Sequence, residues 1–219
     1  MKAQVKRLFD IVLSSVALFF FFPFILLAAL WIRLDTPGPV IFKQHRIGKD
    51  CKPFKVLKLR TMIDRPSSDI DQNNEKVIAN GEDPRITRSG RFLRSTSLDE
   101  LPQLWNIVRG DMSIVGPRPI IPEQLEVVPP EFKSRFHVLP GLTGLAQVRG
   151  RRSLGWLDQL KADAEYAKNY NIFYDIVIIF KTIIVVAKGS GIYGGESENW
   201  RAYRERVKTQ SSKSNIGGD

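Results

Sequence analysis

The longest uncharged stretch of the chain lies near its start. Residues 11–32 contain no charged side chain and are bounded by Asp10 and Arg33. As a helix, these 22 residues would be about 33 Å long at ~1.5 Å per residue, enough to cross a hydrocarbon core of roughly 30 Å. The run is longer than the apolar part of a signal peptide, and no small-residue cleavage site follows it. The pattern therefore predicts a membrane segment.

A proline and the flanking charges bear on how this segment sits in the bilayer. Pro23 removes a helical hydrogen bond near the middle of the run, so we expect a break or bend between Phe22 and Pro23. Basic residues flank both ends, and the positive-inside rule places both flanks in the cytoplasm. A re-entrant hairpin of two short helices satisfies both flanks. A single kinked span with the smaller N-terminal basic group outside is the alternative.

The next segments alternate short apolar runs with turn residues. Residues 40–42 and 54–57 read as strands joined by a turn at residues 48–50, which predicts a basic β-hairpin next to the bilayer. Residues 65–83 are polar and poor in large apolar side chains, so we expect a mobile surface loop there.

Apolar residues at the spacing of an α-helix occur further along the chain. Four apolar residues at i, i+3, i+4 and i+7 predict a core-facing helix that Gly110 ends, namely Leu101, Leu104, Trp105 and Val108. Because Pro102 is tolerated only in the first turn, we expect Asp99 and Glu100 to begin this helix.

A second apolar stretch, residues 172–187, is interrupted by Asp175 and Lys181. It is too short and too charged to span a membrane comfortably, so an interfacial amphipathic helix is preferred. Its many β-branched residues leave a buried strand or a core helix as alternatives.

Together these elements predict a mostly helical α/β fold. A membrane-embedded re-entrant helix hairpin occupies residues 1–34, and a compact cytosolic catalytic domain occupies residues 35–195. That domain contains a small β-hairpin and interfacial amphipathic helices. Residues 196–219 are rich in small, polar and charged side chains and predict a partly disordered tail.

Charge and composition narrow the classes of partner. The chain of 219 residues has 33 Lys and Arg against 23 Asp and Glu, a net charge of +10. This excess favours nucleic acid, an anionic membrane or a phosphorylated substrate. A single cysteine and two histidines argue against disulfides and against Cys- or His-based metal sites. No nucleic-acid recognition motif is present, so a nucleic-acid partner is disfavoured.

The candidate chemistry centres on two adjacent carboxylates. Asp99 and Glu100 would lie at the positive end of the predicted helix, which favours their ionised form and opposes the effect of burial. An ionised aspartate can attack phosphorus, and a neighbouring glutamate can share a Mg²⁺ ion that bridges phosphate oxygens. Taken alone, the pair would be interpreted as a helix cap.

Cations on both sides of this pair suit a diphosphate. Residues 85–94 contain four arginines, among them Arg85 and Arg94, and Lys58 and Arg60 lie on the preceding strand. Arg118 lies between Pro117 and Pro119, whose restricted backbone would orient its guanidinium group for bidentate binding of a phosphate. For each arginine, a solvated surface charge is the alternative.

Several blocks in fixed order resemble the bacterial sugar transferase family, whose small members are monotopic polyprenyl-phosphate phosphoglycosyl transferases. The resemblance covers about residues 2–195. The blocks are Lys6-Arg7, Lys58-x-Arg60-Thr61-Met62, Arg85-Ile86-Thr87, Ser97-Leu98-Asp99-Glu100-Leu101-Pro102-Gln103, Gly110-Asp111-Met112-Ser113, Gly116-Pro117-Arg118-Pro119 and Pro140-Gly141-x-Thr143-Gly144. One departure is Phe22 before Pro23, where some relatives have serine.

The resemblance implies a reaction. A phospho-sugar would pass from a UDP-sugar to undecaprenyl phosphate, giving polyprenyl-diphosphate-sugar and UMP with Mg²⁺ required. This step starts the assembly of a membrane-associated glycan, on the cytoplasmic face of the bacterial inner membrane and among its phospholipids. The sequence leaves the sugar and the oligomeric state open, and a homodimer is one option.

The resemblance also implies roles for single residues. Asp99 would be the nucleophile that forms a covalent phospho-sugar intermediate, and Glu100 would help hold Mg²⁺ or deprotonate the acceptor. The implied substrate- and phosphate-binding residues are Lys58, Arg60, Arg85, Arg94, Pro117, Arg118, Gln147, Asp163 and Asp175. A non-catalytic membrane-tethered scaffold and an aspartate-based phosphatase are the rival functions.

Overall fold

A computed structural model describes residues 2–66, 71, 73, 83–150, 153–188 and 198–216. The chain forms eight α-helices and four strands within these residues, and the small sheets and mostly helical content confirm the predicted class. The helices are α1 Lys2–Asp35, α2 Arg88–Thr96, α3 Gln103–Arg109, α4 Pro122–Leu125, α5 Leu145–Arg149, α6 Trp156–Asn169, α7 Ile172–Ala187 and α8 Trp200–Ile216. The strands are β1 Ile41–Ile47, β2 Pro53–Leu59, β3 Ser113–Val115 and β4 Gly141–Thr143. Most of the predicted mobile loop, residues 65–83, lies outside the described residues.

The apolar N-terminal segment forms a single helix. α1 runs continuously from Lys2 to Asp35 with Pro23 inside it, so the chain does not break into two separate helices at Phe22 and Pro23, and a bend there stays a prediction. Proline removes the hydrogen bond of its own missing N–H and its ring crowds the carbonyl of the preceding turn, which can bend a helix without ending it. Within the described residues, α1 is the one helix long and apolar enough to cross a membrane. The re-entrant course of this helix stays a prediction.

Both ends of α1 pack against the rest of the protein, whereas its middle does not. Near the N-terminus, Arg7 donates hydrogen bonds to the last carbonyls of α3, with Nη1 2.6 Å from Ile107 O. Near the C-terminus, Ile32 is buried, and Asp35 Oδ2 accepts hydrogen bonds from the N–H and hydroxyl of Ser89 at 2.8 Å. Residues 19–24 between these two regions are all exposed.

The predicted β-hairpin is confirmed and is longer than expected. β1 and β2 pair antiparallel with Ile41 opposite Leu59 and Ile47 opposite Pro53. β3 and β4 form a separate two-stranded parallel sheet. This second sheet holds the loop that carries Arg118, as described below.

The helix after the carboxylate pair ends as predicted but begins later. Gly110 closes α3 in the left-handed conformation, with φ 105°. The pair does not begin α3, because Asp99 and Glu100 lie in a 3₁₀ turn over Leu98–Glu100, and Pro102 occupies the position before the first α-helical residue. The predicted core stripe is wrong at Trp105, which is 52% exposed, and Ile107 is buried instead.

The described residues contain three apolar clusters. Val56 of β2 packs with Leu104 and Ile107 of α3 in the largest cluster. A second cluster joins Trp156 of α6 and Trp200 of α8. Since Trp200 packs there and α8 is helical, the predicted tail contains an ordered helix. The third cluster comprises Ala28, Ile32, Leu59 and Leu93, with Ile25, Val40, Ile41 and Leu98 packed against it.

Residues 172–187 form a helix, so the strand alternative is wrong. In α7, Asp175 and Ile178 are buried. The opposite face carries exposed apolar side chains at helical spacing, namely Phe173, Val177, Phe180 and Ile184. A soluble face would be polar at these positions. The helix is therefore amphipathic, and its place at a membrane interface stays a prediction.

Candidate active site

The carboxylate pair is positioned by the turn that joins α2 to α3. Ser97 ends α2 with φ 60°, and its N–H donates to Arg94 O at 3.3 Å. The chain then enters the 3₁₀ turn, in which Leu98 packs against the third apolar cluster. Because Leu98 is anchored below, Asp99 and Glu100 are held at the edge of that cluster.

Glu100 accepts hydrogen bonds from two cations that come from different parts of the chain. Lys58 Nζ of β2 lies 2.7 Å from Glu100 Oε1, and Arg118 Nη2 lies 2.9 Å from the same oxygen. Burial would raise the pKa of Glu100, but Arg118 and Lys58 outweigh it and hold that pKa well below its usual range. Glu100 is therefore ionised at neutral pH.

Asp99 has different surroundings. It is 9% exposed, and the part of the chain that the structure describes gives its carboxylate no hydrogen bond. Burial raises the pKa of Asp99, and the nearby charge of Lys58 opposes this rise without cancelling it. The prediction that a helix N-terminus would keep this pKa low is wrong, because the α-helix begins only at Gln103.

Arg118 is held by a buried ion pair behind it. Arg135 Nη2 lies 2.6 Å from Asp163 Oδ2 and donates to Arg118 O at 2.7 Å. Pro117 contributes through its carbonyl, which accepts from Gly141 N at 2.9 Å and ties the loop to β4. Asp163 and Pro117 thus position Arg118, and Asp163 acts through Arg135. Sequence reasoning missed Arg135, since nothing in its neighbourhood marks it as different from a surface arginine.

The arginines predicted on the other side divide into two groups. Arg94 Nε donates to Thr61 Oγ1 at 2.9 Å, and its charge opposes part of the rise that burial causes in the pKa of Asp99. A side chain at Gly90 would lie 2.1 Å from Thr61 O, so the close approach that places Arg94 requires glycine. Arg85 pairs instead with Asp83, with Nη2 2.6 Å from Oδ2. Lys58, Arg94 and Arg118 therefore surround the carboxylate pair, and Arg85 is engaged with its own neighbour.

Of three other predicted site residues, two have partners that hold the fold together. Arg60 is buried and donates to Thr36 O at 2.7 Å and to Pro37 O. Asp175 accepts from Lys6 Nζ and from Tyr166 OH, both at 2.6 Å. Gln147 lies on α5, where its Nε2 is 3.5 Å from Leu142 O. The contacts of Arg60 and Asp175 favour structural roles over direct contact with a substrate. Gln147 Oε1 is buried without a hydrogen-bond partner among the described residues, so the role of Gln147 stays a prediction.

The donor atoms at the site suit a magnesium ion shared with a diphosphate. The described residues contain no cluster of three or more Asp, Glu, His or Cys side chains that could enclose a metal. Mg²⁺ ordinarily keeps several waters and binds one or two carboxylates together with substrate phosphates. Lys58 and Arg118 both contact Oε1 of Glu100, which leaves Oε2 and the Asp99 carboxylate as oxygen donors. Asp99 and Glu100 therefore fit the ion in the presence of a substrate.

The chain matches a known family over most of its length. The family model described as bacterial sugar transferase matches residues 1–189. The chain is 38% identical over 200 residues to the exopolysaccharide production protein ExoY of Rhizobium meliloti, covering 86% of this chain and 88% of the relative.

Two further relatives have names that state a reaction. A UDP-glucose:undecaprenyl-phosphate glucose-1-phosphate transferase of Caulobacter vibrioides is 43% identical over 187 residues, which are 81% of this chain and 68% of the relative. An undecaprenyl-phosphate galactose phosphotransferase of Salmonella typhimurium is 40% identical over 199 residues, which are 86% of this chain and 41% of the relative. The family and transferase class predicted from the motifs are confirmed.

Proposed function

Because the chain belongs to the bacterial sugar transferase family, we propose that it transfers a phospho-sugar from a UDP-sugar to undecaprenyl phosphate. The products are the polyprenyl-diphosphate-sugar and UMP. The names of the relatives, which include a glucose and a galactose transferase, support the donor and acceptor classes. The observation that carries the proposal is Asp99, a buried carboxylate without a direct partner among the described residues, beside the Lys58–Glu100–Arg118 cluster.

The first step is attack by Asp99 on the sugar-linked phosphorus. A new bond forms between a carboxylate oxygen of Asp99 and this phosphorus, and the bond to the bridging oxygen of the diphosphate breaks. UMP leaves with the electron pair of that bond. Lys58, Arg94 and Arg118 lie around the carboxylates, so their charges stabilise the negative charge that builds up on the phosphate oxygens.

The second step transfers the phospho-sugar to the lipid. A phosphate oxygen of undecaprenyl phosphate attacks the same phosphorus, and the bond to Asp99 breaks to restore its carboxylate. A phosphate monoester has its second pKa near ~6, so most of the acceptor is a dianion at neutral pH and needs no base. A carboxylate with a depressed pKa is also a weak base. This favours Glu100 as a holder of cations rather than as a proton acceptor.

Magnesium is part of the proposal. Asp99 and Glu100 Oε2 would hold the ion together with the diphosphate. When bound, Mg²⁺ supplies positive charge that neutralises the phosphate oxygens during transfer.

We also propose a monotopic arrangement on the cytoplasmic face of the bacterial inner membrane. Both ends of α1 contact the same domain, through Arg7 at one end and Asp35 at the other, while residues 19–24 are exposed. A helix that re-enters the same leaflet presents its middle to lipid and returns both ends to the domain. The exposed apolar face of α7 would lie along the same interface, next to phospholipid headgroups.

The test is a reaction without acceptor. Detergent-purified protein is mixed with Mg²⁺ and each of a panel of UDP-sugars, and intact mass and UMP release are measured beside Asp99→Asn. A phospho-sugar adduct with one donor, absent in the variant, supports the two-step route and names the sugar. When undecaprenyl phosphate is then added, release of free sugar phosphate to water in place of lipid product favours the phosphatase. No adduct, no UMP and no effect of added undecaprenyl phosphate would favour the scaffold.

A further inference from the structure

We propose that Arg135 is a positioning residue for the UDP-sugar site, and that its ion pair with Asp163 forgoes hydrogen bonds of its own to hold the backbone of Arg118. The inference rests on the proposed function, because it gives Arg135 a role in binding the donor of that reaction. A pair that only supports the fold would behave differently in one measurable respect. Removing the Arg135–Asp163 pair should weaken donor binding without weakening the fold.

The Arg135–Asp163 pair is buried and incompletely hydrogen-bonded. Both side chains are almost inaccessible to solvent, and Arg135 Nη2 lies 2.6 Å from Asp163 Oδ2. Arg135 Nε and Asp163 Oδ1 are also buried, and neither has a hydrogen-bond partner among the described residues. Buried polar atoms without partners lower the stability of a fold. The orientation of this pair therefore needs an explanation other than stability.

A second ion pair on the same helix has the orientation that this one lacks. Arg149 Nη1 and Nη2 each donate to one carboxylate oxygen of Glu165 on α6, both at 2.6 Å. Such parallel hydrogen bonds are the common arrangement of a planar guanidinium and a carboxylate. The Arg149–Glu165 pair is exposed, so it depends less on complete hydrogen bonding than the buried Arg135–Asp163 pair does.

The backbone of Arg118 explains the orientation of Arg135. The nitrogen that contacts Asp163, Nη2, also donates to Arg118 O at 2.7 Å. The backbone N–H of Arg118 faces the Asp163 carboxylate, where it opposes part of the rise in pKa that burial causes. It is the only backbone N–H in residues 117–119, because proline has none. Both backbone polar groups of Arg118 therefore meet the buried pair.

Holding this backbone matters because the side chain of Arg118 is not held by packing. That side chain is 46% exposed and reaches Glu100 Oε1 at 2.9 Å. A long exposed side chain has many accessible rotamers, so its position is defined best when its backbone is fixed. The loop is also fixed beyond Arg118, where Ile120 O accepts from Ile47 N at 2.8 Å. The Arg135–Asp163 pair thus sets where the Arg118 guanidinium meets the diphosphate.

The experiment removes both charges of the pair at once. Arg135→Met combined with Asp163→Val in the full-length protein leaves no unpaired buried charge, and apolar replacement of a buried ion pair is often neutral or stabilising. We expect the thermal unfolding midpoint in detergent to equal or exceed that of the parent. We expect the KM for UDP-sugar to rise about 10-fold, since a displacement of ~1 Å at a reacting site can cost roughly 100-fold. A smaller fraction of folded protein would instead lower kcat and leave the KM unchanged.

A double-mutant cycle tests whether Arg135 acts through Arg118. The changes Arg135→Met and Asp163→Val are repeated together in the Arg118→Ala protein. There they should raise the KM for UDP-sugar less than about two-fold, because no guanidinium remains to be displaced. An equal rise in KM with and without Arg118 would overturn the proposal.

The exposed pair on α6 provides a matched control. Arg149→Met combined with Glu165→Val makes the same kinds of substitution in an ion pair that does not contact the Arg118 loop. The KM of this variant for UDP-sugar should stay within about two-fold of the parent, as expected for a site that shares no partners with Arg118. A 10-fold rise in the control would show that the KM responds to any loss of charge near α6, and would overturn the assignment of Arg135.

The remaining outcomes are distinguishable from a failure of the proposed function. If the parent protein releases no UMP from any UDP-sugar, the proposed function fails and this inference fails with it. If the parent is active and the variant lacking the Arg135–Asp163 pair does not fold, or unfolds at a lower temperature, the pair serves the fold and the proposal is overturned. A stable variant with the parental KM for UDP-sugar overturns it as well.

Discussion

Asp99 and Asp175 are both buried carboxylates, and they differ in what surrounds them. Asp175 is fully buried, and its two oxygens accept from Lys6 and from the Tyr166 hydroxyl at 2.6 Å. Asp99 is 9% exposed, and its nearest cations are Lys58, Arg94 and Arg118, of which Lys58 and Arg118 bond to Glu100 instead. The motif resemblance marked both residues. The comparison indicates that a buried acid with filled hydrogen-bonding positions serves the fold, whereas we propose that Asp99, with open positions beside cations, is the one that reacts.

The largest effect should come from Asp99→Asn. This change removes the attacking oxygen's charge, so we expect adduct formation and turnover to fall at least ~1000-fold. The free energy of unfolding of this variant should equal that of the parent or exceed it by roughly 0.5–2 kcal/mol, because a buried charge has been removed. Intact mass after reaction with UDP-sugar and thermal unfolding would measure both. An unfolded variant, or one that retains adduct formation, would contradict the contrast with Asp175.

Asp175→Asn should act in the opposite way. It removes the closer of the two carboxylates that face Lys6, whose side chain is mostly buried and also lies 3.8 Å from Asp10. Breaking a buried ion pair typically costs about 3–5 kcal/mol, so we expect a clear loss of unfolding free energy in detergent. Activity per folded molecule should change little, as measured by adduct formation normalised to folded protein.

Glu165→Gln is the matched control for that prediction. Glu165 pairs with Arg149 at 2.6 Å on the surface. Exposed pairs contribute at most ~1 kcal/mol, so this variant should unfold close to the parent. Equal losses of unfolding free energy in Glu165→Gln and Asp175→Asn would show that burial of the Asp175–Lys6 ion pair does not determine how much it stabilises the fold.

Arg118→Lys should have an intermediate effect on turnover. Lysine keeps the charge near Glu100 but loses the planar fork that can bind a phosphate through two N–H groups. We expect kcat/KM for the UDP-sugar to fall about 10–100-fold with normal folding. Steady-state kinetics and circular dichroism are the measurements, and a lysine variant with parental kinetics would rule out bidentate binding by Arg118.

The smallest effect is a pH dependence caused by Asp99. Burial raises its folded-state pKa above the usual value near ~4. The ionised form is the nucleophile, so single-turnover adduct formation should increase as pH rises through this raised pKa. The free energy of unfolding changes in the opposite direction to the activity. The protonated form of Asp99 stabilises the folded protein at low pH, and this contribution is lost as pH rises through the raised pKa.

The matched measurement subtracts Asp99→Asn from the parent. Thermal unfolding of both proteins across acidic to neutral pH should show a relative loss of parental stability with rising pH. A difference that does not vary with pH would mean that the pKa of Asp99 is not raised.

The sequence predicted the elements that depend on neighbouring residues. The uncharged stretch became α1, the paired apolar runs became the β-hairpin, and Gly110 ended α3 because only a residue tolerant of positive φ suits that position. The carboxylate pair of the candidate site was also recognisable, since Asp99 and Glu100 are adjacent and belong to one block of the family resemblance.

The contacts between distant segments could not be predicted in the same way. Arg60 and Arg94 look alike in the sequence, yet one binds the carbonyls after α1 and the other binds Thr61 beside the site. Arg135 became important only because the fold brings Asp163 and the carbonyl of Arg118 to it. The pKa of Asp99 depended on burial by the fold and on where α3 begins, and neither can be read from the motif.

The attachment of α1 at both ends has a consequence for protein engineering. Arg7 binds the last carbonyls of α3, and Asp35 binds the first turn of α2, the helix that carries Arg94. A foreign anchor of equal length and hydropathy would lack both partners and would leave Ser89 and the end of α3 uncapped. We therefore expect that α1 cannot be exchanged on its own. Chimeras that replace α1 must also carry the matching surfaces of α2 and α3.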